Sequence, residues 1–150
     1  MKFRFLLHAL LFATVFTALV RAQTATVTPN TTALVPDGGT VTFTATLSYV
    51  TTPSAIGVTV KIPSGWAYEN GANEPAVKPA AGRTGTLEWA CVDVPASPVT
   101  FSFRVSYPAG QTRVSIASSV MLRLAGEVTN LTPPVIVLSS GQASQPGQPH

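Results

Sequence analysis

Histidine and cysteine are almost absent from this 150-residue chain. Beyond residue 22 the only histidine is the terminal His150, so a fold would contain no histidine base to activate a serine or cysteine nucleophile. Cys91 is the only cysteine, which excludes an internal disulfide and a zinc site of clustered cysteines and histidines. No glycine-rich phosphate loop is present either. We therefore expect no catalytic triad, no metal site and no cofactor.

Charged residues are also scarce, at 10% of the chain. Three of the nine basic residues lie within the first 22 positions, and without them six basic and six acidic residues remain, a net charge of zero. A neutral chain lacks the basic surface that phosphate binding requires, so we expect no nucleic-acid partner. Beyond Val20, no apolar run reaches the roughly 18 to 20 residues of a membrane span, so no transmembrane segment is expected in the mature chain.

Residues 1–22 have the order of a secretory signal peptide. Two basic residues precede an apolar run from Phe5 to Val20, and Ala22 supplies the small residue of a cleavage site. Retention of the run as an N-terminal anchor is the alternative, but the run is short and contains polar residues. We expect cleavage and a secreted, extracellular or cell-envelope protein.

Apolar and polar residues alternate over most of residues 23–138, the period of strands with one buried face. Val41 and Phe43 begin one apolar series, while threonines fill the other parity. Pro, Gly, Asp and Ser separate the short alternating runs, which favours an antiparallel sandwich over βαβ units. We predict an all-β domain over 23–138, a β-sandwich of about seven to eight strands, and a disordered Gln-, Pro- and Gly-rich tail over 139–150.

Three features of this pattern give local predictions. Residues 99–107 and 112–122 are expected to form a hairpin, because closing the loop between them pairs Phe103 with Ile116 and every inward residue with an inward one. Cys91 falls on the apolar parity of its strand and is expected to be buried, pairing between chains being the alternative. Val135–Leu138 is apolar throughout, so both its faces should be covered or it is an edge that needs a partner.

The candidate contact region surrounds residues 69–84, a long segment rich in Pro, Ala and Gly, because loops of this length are usually functional or mobile. The candidate contact residues are Trp66, Tyr68, Glu69, Glu74, Lys78 and Arg83. On the surface the two aromatic rings would stack on sugars or anchor a protein. The alternative, which we favour, is that both rings pack in the core beneath the loop.

The acidic residues offer the one route to an enzyme, since a glycosidase needs two carboxylates beside the scissile bond. Glu69 and Glu74 lie five apart in the long segment, and Glu88 and Asp93 lie five apart along one strand. An odd separation places the second pair on opposite faces of an ideal strand. We expect both pairs to be ordinary solvated charges, and we expect no enzyme.

Three strand-like segments carry a family pattern: Asp37–Phe43 (DGGTVTF), Gly57–Tyr68 (GVTVKIPSGWAY) and Gly85–Trp89 (GTLEW). Over residues 25–138 the chain resembles the immunoglobulin-like repeat domains of bacterial cell-surface and secreted proteins. The resemblance implies an immunoglobulin-like β-sandwich and a non-catalytic module that acts by surface contact, through the 69–84 segment or the edge near 135–138. Its partner would be a protein or a cell-surface glycan. The alternative function is a carbohydrate-binding sandwich that uses exposed aromatic residues.

Overall fold

A computed structural model describes residues 23–140, which form ten β-strands and no helix. The first five strands are β1 (Thr24–Pro29), β2 (Ala33–Leu34), β3 (Gly39–Ser48), β4 (Ala55–Lys61) and β5 (Ala67–Ala72). The other five are β6 (Thr86–Cys91), β7 (Val99–Tyr107), β8 (Arg113–Leu124), β9 (Glu127–Leu131) and β10 (Ile136–Ser140). The all-β prediction is confirmed, but the predicted strand count was too low. It missed the two-residue β2, β5 at the start of the long segment, and β9.

The strands form two sheets that enclose one core. The first sheet has the order β1-β3-β7-β5; the second has the order β2-β10-β8-β4-β6, with β9 also paired to β8. All pairs are antiparallel except β2 with β10, which is parallel. The first order corresponds to A-B-E-D and the second contains C-F-G, the two sheets of the immunoglobulin fold. The chain is an immunoglobulin-like β-sandwich, as predicted.

Aromatic rings from both sheets fill the core. Phe43 and Phe103 stack with their ring centroids 5.2 Å apart, and Trp89 lies 4.5 Å from Phe103 across the interior. Trp66 stacks on Tyr107 at 5.0 Å. Every aromatic side chain within residues 23–140 is buried, because each occupies an inward position of the alternating pattern. Such pairs contribute about 0.5–1.5 kcal/mol each beyond the area that they bury.

The predicted hairpin between residues 99–107 and 112–122 is wrong. β7 pairs with β3 and β5, and Phe103 lies opposite Phe43 instead of Ile116. β8 belongs to the other sheet, where it pairs with β4, β9 and β10. Residues 108–112 therefore cross between the sheets. The alternation of apolar residues determines which face of a strand is buried, but not which strand lies beside it. Both sheets bury their apolar faces in the same interior, so inward residues of β7 and β8 also face each other when the two strands lie in different sheets.

The hairpin that does form joins β8 to β9 through Ala125 and Gly126. Both turn residues have positive φ, 46° and 84°, as in a type I′ turn. After β9 the chain passes Pro133 and Pro134 and continues along β8 as β10. β9 was not predicted because its five residues lack a clear alternation of apolar and polar side chains.

β10 is a half-covered strand. Ile136 and Leu138 are buried, whereas Val137 is 38% exposed, so the expectation of two covered faces is wrong. β2 pairs only with Ser139 and Ser140, which leaves residues 136–138 as an edge, the other expectation. The strand also extends two residues past the predicted domain end at 138. The predicted signal peptide at 1–22 and residues 141–150 of the predicted tail lie outside the described residues.

Candidate functional site

The six predicted contact residues divide into a buried and an exposed group. Trp66 and Tyr68 are 0% and 3% exposed, so the core alternative is confirmed for both rings. The side chain of Glu74 is 3% exposed, which corrects the expectation of a solvated charge. The residues that do reach the surface are Glu69, Lys78 and Arg83.

The Glu74 carboxylate accepts hydrogen bonds from two core aromatic residues. The Tyr68 hydroxyl donates to Oε1 at 2.6 Å, and the Trp89 indole Nε1 donates to the same oxygen at 2.9 Å. The second oxygen, Oε2, has no hydrogen-bond partner among the described residues and lies 3.5 Å from Lys78 Nζ. Burying a carboxylate is costly unless it is paired, so these three groups are what allow Glu74 to leave water.

A bulge in β5 prepares this arrangement. The register between β5 and β7 shifts between Tyr68 and Asn70, so Glu69 has no partner residue in the ladder. The Glu69 carboxylate instead lies 2.7 Å from Arg104 Nε, at the surface of the first sheet. Beyond the bulge Gly71, and not Asn70, lies opposite the buried Phe103.

Gly71 makes room for the Glu74 side chain. A Cβ atom at this position would overlap the Glu74 carboxyl group and the Ser102 carbonyl oxygen. Real Cβ atoms essentially never come so close to other heavy atoms, and the Ser102 oxygen belongs to the backbone of a paired strand. A side chain at position 71 would therefore displace the carboxylate.

The edge segment, residues 73–85, closes the side of the sandwich between β5 and β6. Val77 and Ala90 exchange two backbone hydrogen bonds of 3.0 Å, which adds a bridge outside β6. The Gly82 amide donates to the Tyr68 carbonyl at 2.7 Å. The segment that the sequence marked as a long loop is thus hydrogen-bonded to both neighbouring strands, with Glu74 as its buried anchor.

Two titratable groups beside the edge segment, Tyr68 and Cys91, have raised pKa values. Burial, the hydrogen bond to Glu74 and the charge of that carboxylate all raise the pKa of the Tyr68 hydroxyl, so it stays a donor. Burial and the charge of Asp93 raise the pKa of the half-buried Cys91 thiol, which lies on the predicted inward parity. Glu74, Cys91 and Asp93 line a cavity of about 230 Å³. A protonated thiol is a poor nucleophile.

Residues 23–140 hold neither a cluster of metal ligands nor a membrane-spanning helix. No group of three His, Cys, Asp or Glu side chains in this range is arranged to hold a metal ion. No helix within the same range is long and apolar enough to cross a membrane.

The opposite edge of the sandwich is open. Among residues 23–140 no strand pairs with the outer side of β1, and residues 136–138 of β10 have a partner on one side only. A groove of about 280 Å³ runs between these two strands. It is lined by Thr26, Val27, Thr28, Pro29, Thr32, Pro134, Val135, Ile136 and Val137. None of these residues is charged, and Val135 is 57% exposed.

The sequence identified only one wall of this groove. The unbroken apolar run at 135–138 marked an edge in need of a partner, but the residues of β1 read as an ordinary alternating strand. The two walls are more than one hundred residues apart in the chain, so only the folded structure brings them together.

No protein-family model matches this chain, and no curated protein matches it. Solved structures do show similarity. The full-length major pilin SpaD from Corynebacterium diphtheriae aligns with a TM-score of 0.56 and 10% identity, over 77% of this chain and 35% of the pilin. The C-terminal domain of the Streptococcus pyogenes antigen I/II-family protein AspA aligns at 0.54 and 11%, over 79% of this chain and 46% of that one.

A third structure, of a Corynebacterium diphtheriae protein described as membrane anchored, aligns at a TM-score of 0.50 and 14% identity, over 88% of this chain and 38% of that protein. The chain thus spans less than half the length of each of these three structures. At such identities the likeness shows the fold. Fold and comparisons together define an immunoglobulin-like β-sandwich whose structural neighbours include domains of bacterial pilin and antigen proteins.

Proposed function

We propose that this chain is an exported, non-catalytic β-sandwich module that acts by surface contact with a protein partner in the cell envelope or outside the cell. The observation that carries the proposal is the open edge between β1 and β10. One edge of the sandwich is closed by residues 73–85, while the other leaves an uncharged apolar groove of about 280 Å³ in contact with solvent. Exposed apolar grooves of this kind are typical of interaction sites.

The placement of the acidic residues supports a role without catalysis. Glu74 is bound by Tyr68 and Trp89, and Glu69 is paired with Arg104. Glu88 and Asp93 are solvent-exposed, as the sequence predicted. A glycosidase needs one free carboxyl acid and one free carboxylate facing a common cleft, and neither of the predicted acidic pairs supplies them.

Burial of the aromatic residues argues against the carbohydrate-binding alternative in the form in which it was predicted. Trp66 and Tyr68 were the candidate sugar-stacking rings, and both lie in the core. The other aromatic side chains of residues 23–140 are buried too, so that range offers no exposed ring for a sugar face. The protein-contact function is therefore the better supported of the two.

Export is supported by the signal-like order of residues 1–22 and by the kinds of protein whose structures align with this fold. The names of the aligned structures describe a pilin, an antigen-family protein and a membrane-anchored protein. We propose that the mature chain, beginning near Gln23, acts at the cell surface or beyond it.

Site-specific photo-crosslinking in the producing cells tests the proposal. A photoreactive residue at Val137, inside the groove, should give a discrete protein adduct, and the same residue at Val128 should not. Both valines are exposed strand residues, at 38% and 47%, so they form a matched pair. The proposal fails if the two positions give the same adducts. It also fails if the chain is recovered from inside the cell with residues 1–22 still attached.

A further inference from the structure

We infer that the open edge binds an extended, uncharged peptide segment of a partner protein, which adds as a strand to β1 and places aliphatic side chains in the groove. This inference rests on the proposed function and specifies the conformation and the chemistry of the partner.

β1 has the properties of a template for an added strand. It pairs with β3 along one side over the six residues Thr24–Pro29. Along its other side, backbone N–H and C=O groups face outward without a strand partner, which is the setting for strand addition. Protected edges usually carry a charge or an irregularity within the strand, and β1 has no charged residue and a continuous register with β3. Pro29 ends the stretch that can donate hydrogen bonds.

The groove beside β1 determines which side chains would accompany the added strand. Val27 and Ile136 form its buried part, at 4% and 7% exposed, and Val135 and Val137 form its exposed rim. A lysine or glutamate placed here would lose its hydration without gaining a partner, because no charged residue lines the groove. Uncharged, β-branched or aliphatic side chains on one face of the incoming strand fit this lining.

The size of the edge favours a short extended segment over a second copy of the chain. Six strand residues span about 20 Å, and the groove beside them measures about 280 Å³. A short extended segment fills such a site, whereas a stable dimer buries a far larger surface, roughly 1,600 Å² in total. The chain's own residues 141–150 are a poor occupant, because Ala143 is their single aliphatic residue and two prolines interrupt them. The two edges of the sandwich also differ. The molecule closes the edge between β5 and β6 with its own residues, where Val77 bridges Ala90, and leaves the edge between β1 and β10 open.

Selection from a phage-displayed library of random ten-residue peptides tests the inference on the purified full chain. We expect enriched peptides without charges and with β-branched or aliphatic residues at alternating positions. The change Val137→Lys should weaken their binding by about tenfold or more. Val128→Lys, the same change at an exposed valine outside the groove, should leave binding unchanged. Val135→Lys provides a second groove variant at a more exposed position.

Hydrogen exchange locates the bound peptide. Binding should slow exchange of the amides in residues 24–29 more than those of residues 86–91 at the closed edge. The inference is overturned if the selected peptides are charged, or if they bind Val137→Lys and Val128→Lys equally. It is overturned as well if the protection from hydrogen exchange appears outside residues 24–29. It is also overturned if sedimentation shows dimers that Val137→Lys abolishes, since a second copy would then occupy the groove. A crosslink at Val137 without peptide binding would retain the proposed function and remove strand addition alone.

Discussion

Glu74 connects three parts of the molecule through one carboxylate. Its backbone belongs to the edge segment, Tyr68 belongs to β5, and Trp89 belongs to β6 in the other sheet. The two donors come from different sheets, so the carboxylate joins the sheets at the edge where the sandwich would otherwise open. A buried charge in such a position stabilises only while all its partners remain in place.

Removal of the Glu74 carboxylate should therefore be costly. We expect Glu74→Ala to lower the free energy of unfolding by about 2–4 kcal/mol, because it leaves the donors of the buried Tyr68 and Trp89 side chains without their acceptor. Glu74→Gln should lose less, since its amide oxygen still accepts a hydrogen bond. Urea denaturation measures both, and Glu88→Ala, at an exposed acid, should change stability by no more than about 0.5 kcal/mol. Equal effects at positions 74 and 88 would contradict the structure.

Tyr68 predicts a loss of stability at alkaline pH. Its hydroxyl pKa lies above the ordinary value of 10.0 in the folded chain. Above about pH 10 the unfolded chain releases this proton while the folded chain keeps it, so the free energy of unfolding falls by up to about 1.4 kcal/mol per pH unit. Tyr49 and Cys91, whose pKa values are also raised, act in the same direction from pH 10 and pH 9 upward. Urea denaturation from pH 8 to 11.5 measures the slope, which should be shallower in Tyr68→Phe.

Gly71 gives a steric prediction with an internal control. Gly71→Ala should destabilise the fold by about 1–3 kcal/mol, because the new methyl group overlaps the Glu74 carboxyl and the Ser102 oxygen. At Gly57 the same methyl group would meet the flexible end of Met121 at 3.6 Å, an ordinary contact. Gly57→Ala should therefore be neutral or stabilising in thermal unfolding. The steric account fails if the two variants have the same melting temperature.

Sequence patterns predicted the burial of single residues well where burial follows parity. Trp66, Tyr68 and Trp89 lie on inward positions of alternating runs and are buried as expected. Glu74 lies outside any such run, and its burial depends on a glycine three positions away and on Trp89 from another strand. No local pattern records that combination, so the anchor of the edge segment was found only in the structure.

At the scale of strands, the turns that follow β7 and β8 lead the chain to different places: the first to the other sheet and the second back along β8. The four residues after β7 have turn composition, which favours a hairpin, yet they cross between sheets. The two residues after β8, Ala125 and Gly126, do close a hairpin although alanine is a poor residue for positive φ. Turn composition shows that the chain bends there. The strand that it returns to depends on long-range packing.

Ala125 is accordingly a strained position that substitution can relieve. A left-handed backbone costs an L-residue roughly 1–2 kcal/mol, so Ala125→Gly should raise the free energy of unfolding by about 0.5–1 kcal/mol. Ala117→Gly, the same change at an exposed position inside β8, should lower it by about 0.5–1 kcal/mol. Urea denaturation should therefore show that the free energy of unfolding changes with opposite signs in the two variants. A loss of stability at both positions would show that Ala125 is not strained.

At the scale of the whole molecule, composition and parity were sufficient for the fold class and insufficient for the pairing. The absence of helical periodicity, the alternating runs and the turn residues between them all predict a β-sandwich. Strand order in the two sheets is set by contacts between distant residues, such as Phe43 with Phe103 or Ile116 with Ile136. For the same reason the groove between β1 and β10 could be predicted from the sequence only in part.

The ends of the described chain emerge from opposite poles of the sandwich. Thr24 pairs with Ser48 at one pole, while Ser140 pairs with Leu34 and its amide bonds to the Thr112 carbonyl at the other. β1 and β2 run in the same direction as β10, toward the pole where Ser140 lies. If the module is held at one terminus and pulled at the other, β2 and β10 are drawn past each other along their length. Their hydrogen bonds then resist tension together in shear instead of opening one after another.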